Sequence, residues 1–332
     1  MEQTKPRLID QYNRTLNYLR VSITDRCNLN CIYCMPPHGM PKLEHKDILR
    51  YEEILRLAGI AANLGIDKIR LTGGEPLVRK GVYEFIPKLT AIPGLKEVSI
   101  TTNGIYLKEN LDKIKTAGIN RINVSLDTMD RDKYRLITGF DGFTQVWEGI
   151  EQARMMGLNP VKINIVPLKG INDGEFLDFA RLTLEYPYHI RFIEHMPVGT
   201  VGAEVQTNYI PNAEIKAQIS RLGKLIPVPR TKYDGPAARF RLEDALGEIG
   251  FISTLTHHFC KTCNRLRLTA AGHLRPCLLS DKEEDLKKPM RNGASDQELE
   301  LIFLKTAFNK PRSHLLDSPG PTPSSQMSSI GG

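Results

Sequence analysis

Six cysteines fall in two groups of three, and the spacing of the first group is the clearest chemistry in the chain. Cys27, Cys31 and Cys34 form a C-x3-C-x2-C run in TDRCNLNCIYCMP. Three thiolates in one short loop suit a cubane iron–sulfur cluster, which cysteines normally hold. With three rather than four, one iron stays open to an outside donor. The amino and carboxylate groups of S-adenosylmethionine fill that role. The reduced cluster then passes an electron to the sulfonium, and a carbon–sulfur bond breaks to leave a 5′-deoxyadenosyl radical. Such a cofactor carries the hard chemistry, while the protein positions it and excludes water. Zinc is the rival, with His38 or His45 nearby, because a structural zinc site takes four ligands.

Cys260, Cys263 and Cys277 make the second group, a C-x2-C-x13-C pattern. A second cubane with an open iron, free to hold a substrate, follows by the same logic. A Cys3His zinc site with His257, His258 or His273 competes, since C-x2-C pairs are common zinc ligands. Between these cysteines stand Arg265 and Arg267. Residues i and i+2 of a strand point to one face, and guanidinium forks match phosphate oxygens. Two such forks beside a cluster imply a phosphorylated substrate; a solvated basic strand is the plainer alternative.

These residues need a frame. Short apolar runs read as strands at Leu19–Ile23, Lys68–Leu71, Glu97–Thr101, Arg121–Ser125, Val161–Val166 and His189–Ile193. Helical periodicity separates them at Tyr51–Asn63, Val82–Leu89, Lys108–Ala117, Thr144–Met156 and Glu175–Leu184. Alternating strands and helices imply an α/β fold with a parallel sheet. Six units are too few for a closed eight-stranded barrel. The expectation is a partial six-unit (βα)6 TIM-type barrel over residues 8–199, with a smaller C-terminal domain over 200–316 covering its open side. A low-complexity flexible tail over 317–332 ends in Gly331-Gly332.

Loops after such strands carry function. The first cysteine group follows the first strand. Thr72-Gly73-Gly74-Glu75-Pro76 follows the second, where a glycine pair lets backbone approach a ligand and Glu75 can accept from an ammonium group. Thr101-Thr102-Asn103-Gly104 and Ser125-Leu126-Asp127 end the third and fourth, and each reads equally as an Asx-type turn.

Composition agrees with an ordinary soluble enzyme: 41% hydrophobic, 25% charged, net charge +7. The positive excess favours anionic partners. No run reaches the roughly 18 apolar residues of a membrane span, and Met1–Arg14 lacks a signal-peptide core. A cytoplasmic location with no membrane partner is expected.

The segments CNLNCIYC, LTGGEPL, TTNG, NVSLD, RFIEHMPVG and FCKTCNRLRLTAAGHLRPC, with the final diglycine, together resemble the GTP 3′,8-cyclase family of molybdenum cofactor biosynthesis, from about residue 8 to the end. The resemblance implies a lyase with two 4Fe–4S clusters that binds S-adenosylmethionine and GTP. Its radical takes the C3′ hydrogen of GTP, and C3′ bonds to guanine C8 to give 3′,8-cyclo-7,8-dihydro-GTP. It implies that Cys27, Cys31 and Cys34 hold the first cluster and Cys260, Cys263 and Cys277 the second. Tyr33, Gly74, Ser125 and Met196 would line the S-adenosylmethionine site. Arg20, Arg70, Thr101, Lys162, Arg265, Leu266 and Arg267 would contact GTP. The diglycine tail would reach into the active site. An electron donor protein, a functional link to cyclic pyranopterin monophosphate synthase and a homodimer complete what it implies. Two departures from the family pattern are His195 before Met196 and Ala271 before Gly272.

Three other readings compete. A peptide-modifying radical enzyme with an auxiliary cluster would carry more C-terminal cysteines and has no use for Arg265 and Arg267. A zinc-binding nucleic-acid module explains neither the strand–helix alternation nor CNLNCIYC. A nonenzymatic scaffold is at odds with a complete set of the residues required.

Overall fold

The computed structural model describes residues 7–36, 38–199, 208–231, 234–314, 323 and 325–331. Its frame is one twelve-stranded sheet. In chain order the strands are β1 (Tyr18–Ser22), β2 (Lys68–Thr72), β3 (Glu97–Thr102), β4 (Ile122–Ser125), β5 (Val161–Ile165), β6 (His189–Ile193), β7 (Leu225–Pro227), β8 (Ala238–Leu242), β9 (Glu248–Ile252), β10 (Arg265–Leu268), β11 (His273–Arg275) and β12 (Glu284–Asp285). Their spatial order is β12-β11-β10-β1-β2-β3-β4-β5-β6-β9-β8-β7.

The six expected strand–helix units are present. Helices α1 (Tyr51–Asn63), α2 (Val82–Thr90), α3 (Leu107–Thr116), α5 (Phe143–Met155) and α6 (Phe176–Glu185) lie within a residue or so of the periodicity reading. One helix was not expected: α4 (Arg131–Thr138). It is short and mostly polar, so its apolar period is faint. Its ends are well marked: Asp130 accepts from the Asp132 and Lys133 amides, and Gly139 closes it at φ 72°. The C-terminal part adds α7 (Asn212–Ile219), α8 (Lys287–Arg291), α9 (Asp296–Phe308) and α10 (Met327–Ile330).

Beyond residue 200 the chain does more than lie across the gap. It returns to both edges of the six-stranded sheet: β9 pairs parallel with β6, and β10 pairs parallel with β1. Eight neighbouring strands are thus parallel, flanked by antiparallel pairs at each end.

Side chains alternate across this sheet, as strand geometry requires. On β1, Leu19 and Val21 enter the hydrophobic core; on β10, Leu266 and Leu268 do; on β5, Ile163 and Ile165 do. That core is shared with the inner faces of the helices, for example Ile54, Leu57 and Ala61 of α1 and Phe176 and Phe179 of α6. The other face, with Tyr18 and Arg20, Arg265 and Arg267, Lys162 and Asn164, lines a cavity of about 310 Å³.

Of the expected tail over 317–332, residues 317–322, 324 and 332 lie outside the described residues. The described part packs inward. Ile330, with Val198 and Leu279, forms a small apolar cluster beside Met196 and Met327.

Candidate active site

Parallel pairing fixes which end of the cavity each cysteine group occupies. Cys27, Cys31 and Cys34 follow β1, at the C-terminal edge of the parallel strands. Cys260 and Cys263 precede β10, which runs parallel to β1, so they sit at the opposite edge. Cys277 follows β11, antiparallel to β10, and returns to that same edge. All six line the one cavity.

The first loop is held by the turn after β2. Gly74 donates to Thr24 O (2.7 Å) and Glu75 to Arg26 O (2.8 Å). A Cβ on Gly74 would stand 2.3 Å from Arg26 O, so only glycine fits under this loop. Buried Glu75 accepts from Leu77 N (2.9 Å), Thr102 Oγ1 (2.8 Å) and Asn103 N (2.6 Å). Burial nevertheless pushes its carboxyl up to about 7, which favours a cationic ligand beside it. Asn103 Nδ2 also points at Cys27 Sγ (3.7 Å), and Leu29 N donates to the same sulfur (3.4 Å). Amide donors aimed at sulfur are the outer contacts that tune iron–sulfur centres. Without a metal, burial raises all three thiols, Cys34 to about 12, so a positive partner is needed to draw their protons off. The donor set fits a cluster with one open iron.

Tyr33, Gly74, Ser125 and Met196 all line the cavity near this loop. The Tyr33 hydroxyl donates to Asp127 (2.7 Å), which also accepts from Val166 N (2.8 Å). His195 packs edge-on to Tyr33, and burial holds its imidazole down to about 4.

At the other edge, Cys263 differs from the first group. Burial raises it, but Arg265 and Lys310 beside it outweigh that and bring it down to about 6. Lys310 Nζ donates to Arg265 O (2.8 Å) and Pro276 O (2.5 Å), bracing two ligand segments. Arg14 braces a third, donating to Cys260 O (2.6 Å) and Pro311 O (2.6 Å). Of the histidines considered for zinc, His273 is tied to Glu283 (2.8 Å) on β11. His258 and His314 do stand with Cys260, their ligand atoms within 4.8 Å of one another.

Between the two edges runs a belt of cations. Register places Arg267, Arg20 and Arg70 side by side on β10, β1 and β2. Like charges directly opposite repel. Burial, reinforced by neighbouring cations, lowers Arg20 well below the usual arginine range and takes Arg267 and Arg191 down to about 9. Lys162 falls to about 5 by burial and the nearby Arg191 and Arg70. Glu97 takes Lys68 and Arg121. No carboxylate pairs with Arg70, Lys162, Arg191, Arg265 or Arg267 among the described residues. The cavity wall also carries polar atoms without hydrogen-bond partners, including Tyr18 Oη, Thr101 Oγ1 and Asn164 Oδ1. A positive belt in which five cations lack a carboxylate among the described residues is a site for a polyanion.

Of the residues that sequence reasoning assigned to the site, all but Leu266 line this cavity. Leu266 is the exception: its side chain is wholly buried in the core, between two arginines that face inward. It missed Arg191 and Lys310. Alternation in HIRFI would have exposed Arg191, since Ile190 and Phe192 are core residues. Lys310 follows α9 and had no local signal.

The tail enters from the same side as the belt. Arg267 Nη1 donates to Gly331 O (2.6 Å), and Gly331, at φ 76°, has Thr72 Oγ1 where a Cβ would lie.

A partial parallel barrel with a three-cysteine loop after its first strand defines a radical S-adenosylmethionine enzyme. Residues 21–183 match the Radical SAM superfamily, and residues 188–316 match Molybdenum Cofactor Synthesis C. The GTP 3′,8-cyclase of Moorella thermoacetica is 53% identical over 323 residues, covering 97% of this chain and 99% of that protein. That of Thermodesulfovibrio yellowstonii is 50% identical, with 97% and 99% covered. The chain belongs to the GTP 3′,8-cyclase family. Among solved structures, Streptococcus suis SuiB bound to S-adenosylmethionine aligns with a TM-score of 0.58 at 13% identity, over 91% of this chain and 68% of that one, a likeness of fold. The family's cofactors are 4Fe–4S clusters and S-adenosylmethionine.

Proposed function

We propose the following division of labour in a GTP 3′,8-cyclase of molybdenum cofactor biosynthesis. Cys27, Cys31 and Cys34 hold one 4Fe–4S cluster, and Cys260, Cys263 and Cys277 hold the other. When bound, the first cluster and S-adenosylmethionine supply the 5′-deoxyadenosyl radical that takes the C3′ hydrogen of GTP, so that C3′ bonds to guanine C8 and 3′,8-cyclo-7,8-dihydro-GTP forms. Glu75 accepts from the ammonium of S-adenosylmethionine, and Tyr33, Gly74, Ser125 and Met196 line its site. Arg20, Arg70, Lys162, Arg191, Arg265 and Arg267 bind the triphosphate, with Thr101 as a hydrogen-bonding partner. Preorganised cations in a dry cavity bind such charge far better than exposed ones. Gly331 closes the cavity and keeps water from the reacting centre.

The observation that carries this reading is the placing of Arg70, Lys162, Arg191, Arg265 and Arg267, none of them paired with a carboxylate among the described residues, between two three-thiol sets in one cavity. Around this core we place a two-part chain, 8–199 and 200–316, an electron donor protein, hand-over of product to cyclic pyranopterin monophosphate synthase, a homodimer and a cytoplasmic location. No helix among the described residues is long and apolar enough to cross a membrane.

The test is anaerobic. The protein is reconstituted with iron and sulfide, then given dithionite, S-adenosylmethionine and GTP. Mass spectrometry should find 5′-deoxyadenosine and a product with the mass of GTP. Cys27→Ala should form neither, because the sulfonium loses its electron source. Undiminished cleavage by that variant would falsify the assignment of the first cluster.

A further inference from the structure

At the edge of the cavity that carries the second cysteine group, two imidazoles share a corner with one of the thiols. His258, Cys260 and His314 each offer a ligand atom, and these atoms lie within 4.8 Å of one another. The two rings meet edge to face, 4.9 Å between centroids at 76°. His314 is buried, and His258 Nδ1 is buried with no hydrogen-bond partner among the described residues. All three residues line the cavity. Neither Cys263 nor Cys277 belongs to this group. The cubane reading takes Cys260 with those two thiols and gives the two histidines nothing to do.

The corner is braced from behind. Buried Arg14 donates through Nη1 to Cys260 O (2.6 Å) and Arg312 O (3.1 Å), and through Nη2 to Pro311 O (2.6 Å). Asp10 takes the guanidinium at Nε (2.5 Å) and balances its charge. The His314 amide turns back to the Cys260 sulfur. Two stretches far apart in sequence are thus fixed together by backbone contacts, which sets the histidine and the thiol in place before any ion arrives. The corner is at most 4.8 Å across. Tetrahedral zinc, with bonds of about 2.0–2.3 Å, holds its ligand atoms roughly 3.5 Å apart, so a small turn of each side chain closes it. Two imidazoles and a thiolate, with a fourth position for water, form a donor set that matches zinc.

We propose that in the cluster-free chain His258, Cys260 and His314 bind one zinc ion, and that this ion and the second cluster exclude each other. Both need the Cys260 sulfur, so one prevents the other. Cys260 releases its thiol proton to solvent as the bond to zinc forms, and no electron moves. Zinc stands above ferrous iron in affinity for such donors, so free zinc holds back assembly of the second cluster. The exclusion rests on the reading that Cys260, Cys263 and Cys277 hold a cluster; the ion site does not.

The test uses the full chain carrying Cys27→Ala, Cys31→Ala and Cys34→Ala, so that the first cysteine group takes no metal. Cobalt, a spectroscopic stand-in for zinc, is added anaerobically to this cluster-free parent and then displaced by zinc. The expected result is one equivalent of tetrahedral cobalt with a thiolate charge-transfer band. X-ray absorption of the zinc form should show one sulfur and two imidazoles. Even an outer contact is worth 10–100-fold in metal affinity, so His258→Ala and His314→Ala, which each remove a ligand, should weaken zinc binding by about 100-fold or more. A zinc shell of three sulfurs, or unchanged affinity in both histidine variants, overturns the ion site. One equivalent of zinc given before iron and sulfide should suppress the visible absorption of the cluster in the parent but not in His314→Ala. Equal assembly with and without zinc overturns the exclusion. A parent that builds no cluster even without zinc overturns the cluster reading and the exclusion with it, while X-ray absorption still decides the ion site.

Discussion

At the residue scale, the telling feature is positive charge that folding buries without compensation. Lys162 is the sharpest case, held down to about 5 by burial and by Arg191 and Arg70. Its ordinary value lies near 10.5, so between about 5 and 10.5 the unfolded chain holds a proton that the folded protein lacks. Stability from this residue therefore rises with pH through that window, and at neutral pH the lysine is a burden. A bound triphosphate reverses the balance and draws the proton back. GTP binding at pH 7 should take up about one more proton in wild type than in Lys162→Met. Calorimetry in buffers of different ionisation enthalpy measures this directly. Lys162→Met should also melt at a higher temperature without ligand and bind GTP more weakly. Equal proton uptake in the two proteins would mean that Lys162 stays outside the phosphate site. The types and spacing of such residues were legible beforehand, because each lies at an inward position of a strand. Leu266 was misjudged for the same reason: strand alternation sends it to the core between Arg265 and Arg267.

At the element scale, the strands were legible because one face is core and the other lines the cavity, so apolar and polar residues alternate, as in KIRLT, VKINI and HIRFI. The ends of α4 were written in Asp130 and Gly139, though its polar surface hid its period. The partners of β9 and β10 were not legible. Each is a run of four or five residues whose parallel neighbour lies far away in sequence, β10 beside β1 and β9 beside β6. No local pattern encodes such a pairing. Yet it sets the chemistry, because it puts the second cysteine group at the edge opposite the first. The turn after β2 offers a test of how elements support the first loop. Gly74→Ala must push the Arg26 carbonyl away, since the new methyl would stand 2.3 Å from it. Backbone cannot yield as a flexible side chain can. The expected result is a folded protein with less iron per chain after reconstitution and S-adenosylmethionine affinity reduced at least tenfold, about 1.4 kcal/mol. Iron analysis and equilibrium dialysis read both, and wild-type values would show that the turn is more compliant than its contacts imply.

At the scale of the whole molecule, the chain's end returns to its beginning. Arg275 is wholly buried and donates to Ser325 Oγ (2.5 Å), to Ser280 O and to Asp281 (3.1 Å), which anchors the last described segment. Ile330 then packs with Val198 and Leu279, and the Gly331 carbonyl takes the guanidinium of Arg267. Gly331 is thus bonded to Arg267 of the cavity wall and pressed against Thr72, two residues before Gly74. Removing residues 325–332 takes the Ser328 amide from Cys34 and the Ile330 packing from Cys277, but leaves the supports that Gly74, Glu75, Arg14 and Lys310 give the cysteine loops. It should strip Arg267 of its partner and admit water to the space where the substrate radical forms. The truncated enzyme is therefore expected to keep its iron and to cleave S-adenosylmethionine, while the yield of cyclised nucleotide per 5′-deoxyadenosine falls by about tenfold or more, the scale for one lost, well-positioned contact. Quantifying both products in one anaerobic reaction gives that ratio. An unchanged ratio would make the tail a packing element alone; loss of both products together would place it in S-adenosylmethionine binding rather than in guarding the second half of the reaction.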